Sequence, residues 1–410
     1  MRRLVTALCL AAASCGDEPG ASEAQRYLTD RAFRRAELVA SLTTTDNDYA
    51  RLRLARYDSA DARDWSLRPV WNPPAAPLVP AATPLRPLDL PASTDRASLL
   101  SLGEAAFSRY PAMLASTTVE ATLRAPGAAA RYGFWTSADG HVGGLVRVAL
   151  ADGTVGLAYS CATCHRAPDA EGNAVPGLAN GALDLGALGA DGNPTIPPAE
   201  KGRLRRWGPG RVDVTTDDGR EPIAIPDLRA VREQSHLQRS GAVRRRSLSA
   251  LAIRIETLLI TSHHEAVRPP REVALGLALY LDSLADSLPA PRVDHPGAAV
   301  FAARCGRCHA PPTLGGGLVA AEEVGTDPSL ARSPTRGTGS YRVPSLRGVG
   351  ARRWLLHDGS VAGLDALLDP ARLRDDYPGA RGVGAIPGHV FGLDLPTPER
   401  SALRAFLSTM

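Results

Sequence analysis

The stretches Cys161-Ala162-Thr163-Cys164-His165 and Cys305-Gly306-Arg307-Cys308-His309 share the pattern C-x-x-C-H. This is the attachment pattern of c-type haem, in which two thiols form thioether bonds and the adjacent histidine ligates the iron. The other two cysteines of the chain, Cys9 and Cys15, lie near its N-terminus. The motifs therefore predict two covalently bound haem c groups, attached through Cys161, Cys164, Cys305 and Cys308, with His165 and His309 as proximal iron ligands.

Two other kinds of site use paired cysteines. A zinc site built from two C-x-x-C pairs places them about 15–20 residues apart, whereas these pairs start 144 residues apart. A thioredoxin-like redox pair needs neither the adjacent histidine nor a second copy. The pattern therefore favours haem over both alternatives.

The N-terminus has the pattern of an export signal. Met1-Arg2-Arg3 is basic and residues 4–13 are mostly apolar, which is shorter than the ~20 residues of a spanning helix. Small residues precede Cys15, as at a bacterial lipoprotein cleavage site; the alternative is a plain signal peptide with an incidental cysteine. We expect a periplasmic protein held to a bacterial membrane by lipid on Cys15, and export agrees with haem, which is attached outside the cytoplasm.

The composition excludes several classes of protein. The 410 residues are 44% hydrophobic and 22% charged, which argues against disorder, collagen and a multi-span membrane protein. The 47 basic and 43 acidic residues are scattered, without the basic stripe interleaved with aromatics that nucleic-acid binding requires. We expect no nucleic-acid partner.

An internal duplication defines the predicted domains. The segments Pro226-Asp227-Leu228-Arg229-Ala230-Val231 and Pro344-Ser345-Leu346-Arg347-Gly348-Val349 are 118 residues apart. Each follows a C-x-x-C-H motif and precedes a predicted terminal helix, at 272–284 and 399–410. The sequence predicts a mainly α fold: a signal peptide at 1–15, a Pro-rich N-terminal arm or linker at 16–97, and two tandem cytochrome c-like haem domains with long loops at 98–288 and 289–410.

The arm itself has two interpretations. Residues 22–58 have helical composition, whereas residues 67–91 contain eight prolines, too many for the interior of a helix or strand. A wrapping arm and a disordered tether both remain open.

Histidines are the leading candidates for the distal iron ligands, because the only methionines are Met1, Met113 and Met410. Alignment of the two predicted terminal helices matches His263 with His389, each 18 residues before its helix marker. We predict His263 for the first haem, with His264 as its competitor, and His389 for the second, with His357 as the other candidate. Weaker candidates are His141, His236 and His295.

The segment from Tyr341 to Val349, followed by His357-Asp358-Gly359-Ser360, resembles the C-terminal domain of the bacterial di-haem cytochrome c peroxidase family. This family includes the di-haem enzyme that matures methylamine dehydrogenase. The resemblance covers residues 98–410, and a more distant one links the chain to di-haem rubber oxygenases. It implies that one haem passes electrons to a second, open haem where peroxide is cleaved. It also implies calcium at the domain interface and a tryptophan between the haems, for which Trp207 is the candidate.

The chain departs from the family at the residues of the chemistry. The position where the family usually has a methionine ligand is Ala371. Peroxide cleavage needs a distal carboxylate that moves a proton, yet residues 241–255 contain no Asp or Glu. Glu256 or Glu265 would have to take that role. Arg229 and Arg347 recur in the duplication and are candidates to bind haem propionates, or else to cap surface carbonyls.

Two functions follow from these observations. The first is an exported di-haem oxidoreductase, peroxidase-like, that acts on peroxide or a small organic substrate and exchanges electrons with a periplasmic donor or acceptor. Residues 166–225, a long insertion after the first motif, would then shape a substrate channel. The alternative is a non-enzymatic di-haem electron carrier whose two irons both have His/His ligation.

Overall fold

The computed structural model describes residues 19–59, 68–71, 88–136, 140–150, 152–213, 221–262 and 268–410. Helix accounts for 43% and strand for 14% of the structure, so the fold is mixed, with more strand than the expected mainly α fold. The helices are α1 Pro19–Thr29, α2 Arg31–Ser41, α3 Asp48–Ser59, α4 Arg96–Arg109, α5 Thr117–Leu123, α6 Ala128–Arg131, α7 Cys161–His165, α8 Leu185–Asp191, α9 Pro198–Arg205, α10 Leu248–Ser262, α11 Arg271–Ser283, α12 Gly297–Arg304, α13 Ala321–Val324, α14 Ser329–Arg332, α15 Gly363–Leu367 and α16 Thr397–Ser408.

The strands are short and form small antiparallel sheets. They are β1 Arg68–Trp71, β2 Met113–Leu114, β3 Leu145–Ala149, β4 Val155–Tyr159, β5 Arg166–Pro168, β6 Ala174–Pro176, β7 Arg211–Val212, β8 Ile223–Ala224, β9 His236–Leu237, β10 Val243–Arg244, β11 Leu318–Ala320, β12 Ser340–Arg342, β13 Trp354–Leu355, β14 Val361–Ala362, β15 Pro378–Gly379 and β16 Gly382–Val383. The largest sheet has the order β1-β3-β4-β2. It matters for the site because β4 leads directly into α7 and the first C-x-x-C-H motif.

The N-terminal segment forms helices that belong to the main core. Helices α1, α2 and α3 contact α10, and Tyr27, Leu38, Tyr49 and Tyr57 are buried in the same cluster as the side chains of α10 and α11. The side chain of Asp30 caps the start of α2 by accepting from the backbone N–H of Phe33. Helices α1, α2 and α3 therefore pack against the main core.

The proline-rich stretch is described only at its two ends. Residues 68–71 form β1, which pairs with β3 despite the prolines, and the pairing shifts between Pro69 and Trp71. Such a shift is where a strand tolerates proline, since the ladder is interrupted there. Residues 72–87 lie outside the described residues.

Helices α4 and α11 cross at glycines and form the centre of the first core. A β-carbon on Gly103 would clash with the backbone carbonyl of Gly276, so the two backbones approach as closely as glycine permits. The predicted helix at 272–284 corresponds to α11. A second core surrounds α12 and α16, where the Phe301 and Phe406 ring centroids are 5.3 Å apart, and α16 corresponds to the predicted helix at 399–410.

The backbone repeats the duplication seen in the sequence. The β9/β10 hairpin and the β13/β14 hairpin are 118 residues apart at both strands. Gln238 and Leu356, which are equivalent, both have φ 64°, and the equivalent Gly241 and Gly359 have φ 67° and 68°. A left-handed conformation is uncommon for a residue other than glycine. Its recurrence at matched positions shows that the two segments have the same backbone conformation there.

Candidate metal centres

The first C-x-x-C-H motif is fixed against the sheet. Thr163, between the two cysteines, is fully buried, and its hydroxyl donates to the backbone carbonyl of Gly144 at 2.8 Å. A β-carbon on Gly144 would clash with the backbone of Thr163, and Gly144 has φ +77°, so this close approach requires glycine. Burial raises the pKa of Cys161 and of Cys164 to about 12. Both side chains are therefore neutral thiols in a tightly held turn.

The ring of His165 is oriented by a backbone carbonyl. Its Nδ1 lies 3.0 Å from the carbonyl oxygen of Pro226, the first residue of the duplicated segment. Because a carbonyl only accepts, the bond requires the proton on Nδ1, which leaves the lone pair of Nε2 available to a metal. Burial lowers the pKa of His165 to about 4, so the imidazole is neutral, the form that ligates metals.

The second motif repeats this arrangement. The Nδ1 of His309 lies 3.0 Å from the carbonyl oxygen of Leu314. Burial lowers the pKa of His309, although the carbonyls of Leu314 and Pro344 oppose the shift. Pro344 is the duplicate of Pro226, so in both centres the same position of the repeat contributes a carbonyl beside the histidine ring.

One large cavity lies beside the second motif and brings most of its predicted residues together. Its walls include Cys305, Cys308, His309, His357 and His389. The three histidines come from separate parts of the sequence, and both predicted distal candidates of the second centre are among them.

His389 has an unusual backbone conformation and an unpaired ring nitrogen. It is left-handed at φ 44°, a strained conformation for a non-glycine residue, and its buried Nδ1 has no hydrogen-bond partner. The fully buried Arg372 fixes this loop by donating to the carbonyls of Gly388 and His389 at 2.8 and 2.9 Å. Burial and the nearby ring of His309 lower the pKa of His389 to about 4. A neutral imidazole with an unpaired nitrogen thus shares the cavity with His309.

The Nε2 nitrogen of His357 already has a hydrogen-bond partner. Its Nε2 lies 3.2 Å from the hydroxyl of Tyr341, and the two rings stack with centroids 4.3 Å apart. Burial lowers the pKa of His357, and Asp358 opposes the shift. Of the two candidates, His389 is therefore the one with a buried ring nitrogen that has no hydrogen-bond partner.

The cavity wall contains six arginines that the sequence analysis did not select. Arg304, Arg307 and Arg353 are exposed, whereas Arg239, Arg342 and Arg352 are partly buried. The Nε atoms of Arg239 and Arg342 are buried without a hydrogen-bond partner. Burial, with the charge of Arg352, lowers the pKa of Arg239 to about 10. One signal in the sequence marks Arg239, since the offset of 118 residues matches it to His357.

The arginines that the sequence analysis did select bind protein instead. Arg229 pairs with Asp227 at 2.6 Å and donates to the carbonyl of Gly348 at 3.2 Å. Arg347 pairs with Glu233 at 2.9 Å and donates to the carbonyl of Leu288 at 2.7 Å. Neither arginine lines the cavity. Both instead connect the duplicated segments through the contacts named above.

The candidates for the distal side of the first centre are only partly described. His263, His264 and Glu265 lie outside the described residues. Glu256 is fully buried on α10 and forms ion pairs with Arg268 at 3.4 Å and Arg271 at 4.0 Å. Those pairs join α10 to the start of α11, and Glu256 is not among the residues that line the cavity.

Trp354 lies in the wall of the cavity. Trp207 is half-buried beside α9 and is not part of the cavity wall, whereas Trp354 is. The indole N–H of Trp354 donates to the carbonyl of Gly181 at 2.8 Å. The neighbouring Asn180 donates its backbone N–H to the carbonyl of Cys164 at 2.8 Å. Trp354 thus connects the cavity to the first motif through two hydrogen bonds.

The described part of the chain shows neither a calcium site nor the predicted lipid attachment point. Among those residues, no cluster of three or more His, Cys, Asp or Glu side chains is arranged to hold a metal, so the expected calcium has no located ligands. The described helices include none with the length and apolar character needed to cross a membrane. Cys15, the predicted lipid attachment point, lies outside the described residues.

No family model matches the chain, and the comparisons with curated proteins and with solved structures also find no match.

Proposed function

We propose that the protein is an exported di-haem c-type cytochrome oxidoreductase, peroxidase-like, with one haem as an electron relay and the other as an open catalytic site. The observation that carries the proposal is the matched pair of histidines. His165 and His309 each follow two cysteines, and each has Nδ1 3.0 Å from a backbone carbonyl. Two rings prepared in the same way to offer Nε2 are what two haem irons would require.

Two tandem cytochrome c-like domains, at 98–288 and 289–410, are part of this proposal. Each contains a C-x-x-C-H motif, then a hairpin of the duplication, then a helix, α11 or α16. The repeated left-handed residues Gln238 and Leu356 support descent of both units from one ancestor.

The residues around the second motif fit a haem. The lining of the cavity includes two thiols, three imidazoles and the unpaired Nε donors of Arg239 and Arg342. A haem carries two propionate carboxylates, and guanidinium groups are their natural partners in a dry site. We propose that Cys305 and Cys308 attach the haem covalently and that Arg239 and Arg342 bind its propionate carboxylates.

We assign the relay role to the second centre. His309 and His389 would both ligate the haem iron of this centre, so it would serve electron transfer rather than substrate binding. A haem with two imidazole ligands supplies one-electron transfer. The chain contributes two buried, neutral rings, of which His389 is held in its strained conformation by Arg372.

We assign the catalytic role to the first centre, whose surroundings differ. Its motif follows a strand, and 61 residues separate His165 from Pro226, against 35 from His309 to Pro344. The guanidinium of Arg166, next to the proximal histidine, lies over the rings of Trp135 and Phe107 at 5.7 and 5.9 Å. The proposed substrate is peroxide or a small organic molecule, and a periplasmic protein exchanges the electrons. Lipid on Cys15 and calcium at the domain interface complete the proposal.

The second candidate function is an electron carrier with His/His ligation at both irons. The position of Glu256 favours it, because a carboxylate paired with Arg268 at 3.4 Å inside the protein is not free to move a proton on a substrate.

Electron paramagnetic resonance of the oxidised protein distinguishes the two functions. The oxidoreductase would show one low-spin and one high-spin ferric signal, and cyanide would shift the high-spin signal. Two low-spin signals that do not respond to cyanide, in both the oxidised and the half-reduced states, would overturn the enzyme and leave the carrier.

A further inference from the structure

The duplicated segments differ in charge at the residue that follows their shared proline. Asp227 in the first copy corresponds to Ser345 in the second at the offset of 118 residues. Asp227 accepts from the backbone N–H of Arg229 at 3.0 Å. Ser345 accepts in the same way from the backbone N–H of Arg347, at 3.3 Å. A neutral hydroxyl is thus sufficient for this turn, so the local backbone alone does not account for a carboxylate at position 227.

The carboxylate of Asp227 is buried and charged. Its side chain is 2% exposed, and a buried carboxylate is costly unless it has partners. Arg229 donates to it through Nη2 at 2.6 Å, and Arg352 donates through Nε at 3.3 Å. Burial raises the pKa of Asp227, but the charges of Arg352 and Arg229 outweigh burial and hold it below its usual value. The side chain therefore carries a negative charge at neutral pH.

This charge lies on the segment that orients His165. The carbonyl oxygen of Pro226, one residue before Asp227, is 3.0 Å from Nδ1 of the His165 ring. Gly177 connects the two segments a second time. Its N–H donates to the carbonyl of His165 at 2.7 Å, and its own carbonyl accepts from the N–H of Leu228 at 2.8 Å. The backbone that carries the carboxylate is therefore fixed to the motif on both sides of Asp227.

The two proximal histidines have charges of opposite sign near them. Burial lowers the pKa of His165, and the carbonyl of Pro226 and the carboxylate of Asp227 oppose the shift. Burial also lowers the pKa of His309, but there the nearby charge of Arg352 acts in the same direction as burial. The surroundings of His165 are thus more negative than those of His309.

We propose that Asp227 is a positioning residue for His165 and that its charge lowers the reduction potential of the iron bound there. A carboxylate near a ligating imidazole stabilises the more positive, oxidised state of a metal. A fixed acceptor for Nδ1–H also makes the ring a stronger donor to the metal, and such hydrogen bonding is one means by which a protein sets the potential of a haem. The inference rests on the proposed function, because it requires a haem iron on His165.

Redox titration of the purified holoprotein, followed by its haem absorption, tests the inference. We expect Asp227→Asn to raise the midpoint potential of the first centre, because a negative charge is removed. We expect Arg352→Gln to lower it, because the carboxylate then has only Arg229 to balance it. Both variants break the same ion pair, so a purely structural role would shift the potential in the same direction in both. The double variant Cys305→Ala/Cys308→Ala, with one attached haem, identifies the transition of the first centre.

Asp365→Asn is the matched control, since Asp365 is an exposed carboxylate of α15 that pairs with Arg404, and it should leave the potential unchanged. If Asp227→Asn does not fold, Asp227→Ser replaces it with the same expectation, since serine is the residue of the second copy. An unchanged potential in the Asp227 variant, or shifts of the same sign in the Asp227 and Arg352 variants, would overturn this inference and leave the proposed function intact. A protein without haem absorption would overturn both.

Discussion

The imidazole of His389 combines burial, a left-handed backbone and an unpaired nitrogen. Each of these features costs free energy in a protein without a ligand, and bonding of the ring to a metal would offset the cost. His357 lines the same cavity but uses its Nε2 in a contact with Tyr341 at 3.2 Å. A substitution of His357 can therefore serve as the control for a substitution of His389.

If His309 and His389 both ligate a haem iron, as proposed, His389→Ala should convert the second centre from low-spin to high-spin, because one of the two ligands is removed. His357→Ala is the matched control and should leave the spin state of that centre unchanged. Electron paramagnetic resonance of the three oxidised proteins measures the difference. A change in His357→Ala and none in His389→Ala would reverse the ligand assignment.

Arg372 holds the loop of His389 through three backbone carbonyls, those of Ile386, Gly388 and His389. Its removal leaves buried acceptors unpaired, so we expect Arg372→Met to lower the free energy of unfolding by about 2–4 kcal/mol. Arg374→Met, two residues away in an exposed pair with Asp376, should have little effect. Urea denaturation compares the two variants, and equal midpoints would contradict this role of Arg372.

The sequence identifies the two C-x-x-C-H motifs but not the charged wall of the cavity. The C-x-x-C-H pattern is local, so its four cysteines and two histidines can be identified directly. Arg239 and Arg342 are two among 47 basic residues, and only the folded chain brings them to one cavity. For the same reason Arg229 and Arg347, chosen because they recur, proved to bind protein groups.

The two terminal helices predicted from the sequence agree with the structure. Helix α11 begins and ends one residue before the predicted span 272–284, and α16 at Thr397–Ser408 lies within two residues of 399–410 at each end. The β1-β3-β4-β2 sheet was not predicted, because its strands are short and pair residues far apart in the sequence, such as Arg68 with Ala149. Such pairing depends on tertiary packing.

The crossing of α4 and α11 depends on glycine. A β-carbon at Gly103 would clash with the backbone of Gly276, so Gly103→Ala must push the helices apart and should destabilise the protein by at least 1–3 kcal/mol. Gly202→Ala in α9 is the control, since its β-carbon would meet only the end of Arg206 at 3.6 Å. Alanine is the better helix former, so that variant should be neutral or slightly stabilised. Thermal denaturation measures both, and an unaffected Gly103→Ala would refute the close crossing.

The two duplicated segments contact each other through reciprocal hydrogen bonds and ion pairs. Arg229 of the first copy donates to Gly348 of the second, and Arg347 of the second pairs with Glu233 of the first at 2.9 Å. The buried Asp227 receives Arg352 from the second copy at 3.3 Å. These contacts explain how two similar units form one body.

The pKa of Asp227 makes this junction sensitive to acid. Burial raises that pKa, but Arg352 and Arg229 outweigh burial, so it lies below the ordinary value of 3.8. A lowered carboxyl pKa contributes stability above the unfolded-state value, and the contribution is lost as pH falls through the folded-state pKa. We expect Asp227→Asn to be less stable than the wild type at pH 7, with a difference that shrinks below pH 3.8. A difference in unfolding free energy that is constant from pH 7 to pH 2 would contradict this account.

The proposed function requires that two haem groups are bound covalently to this chain. The most direct test is the intact mass of the denatured protein after expression in a host that attaches c-type haem. We expect the mature polypeptide plus two haem groups, and plus one haem group when Cys305 and Cys308 are both replaced by alanine. The mass of the polypeptide alone, or an unchanged haem content in that double variant, would contradict the claim.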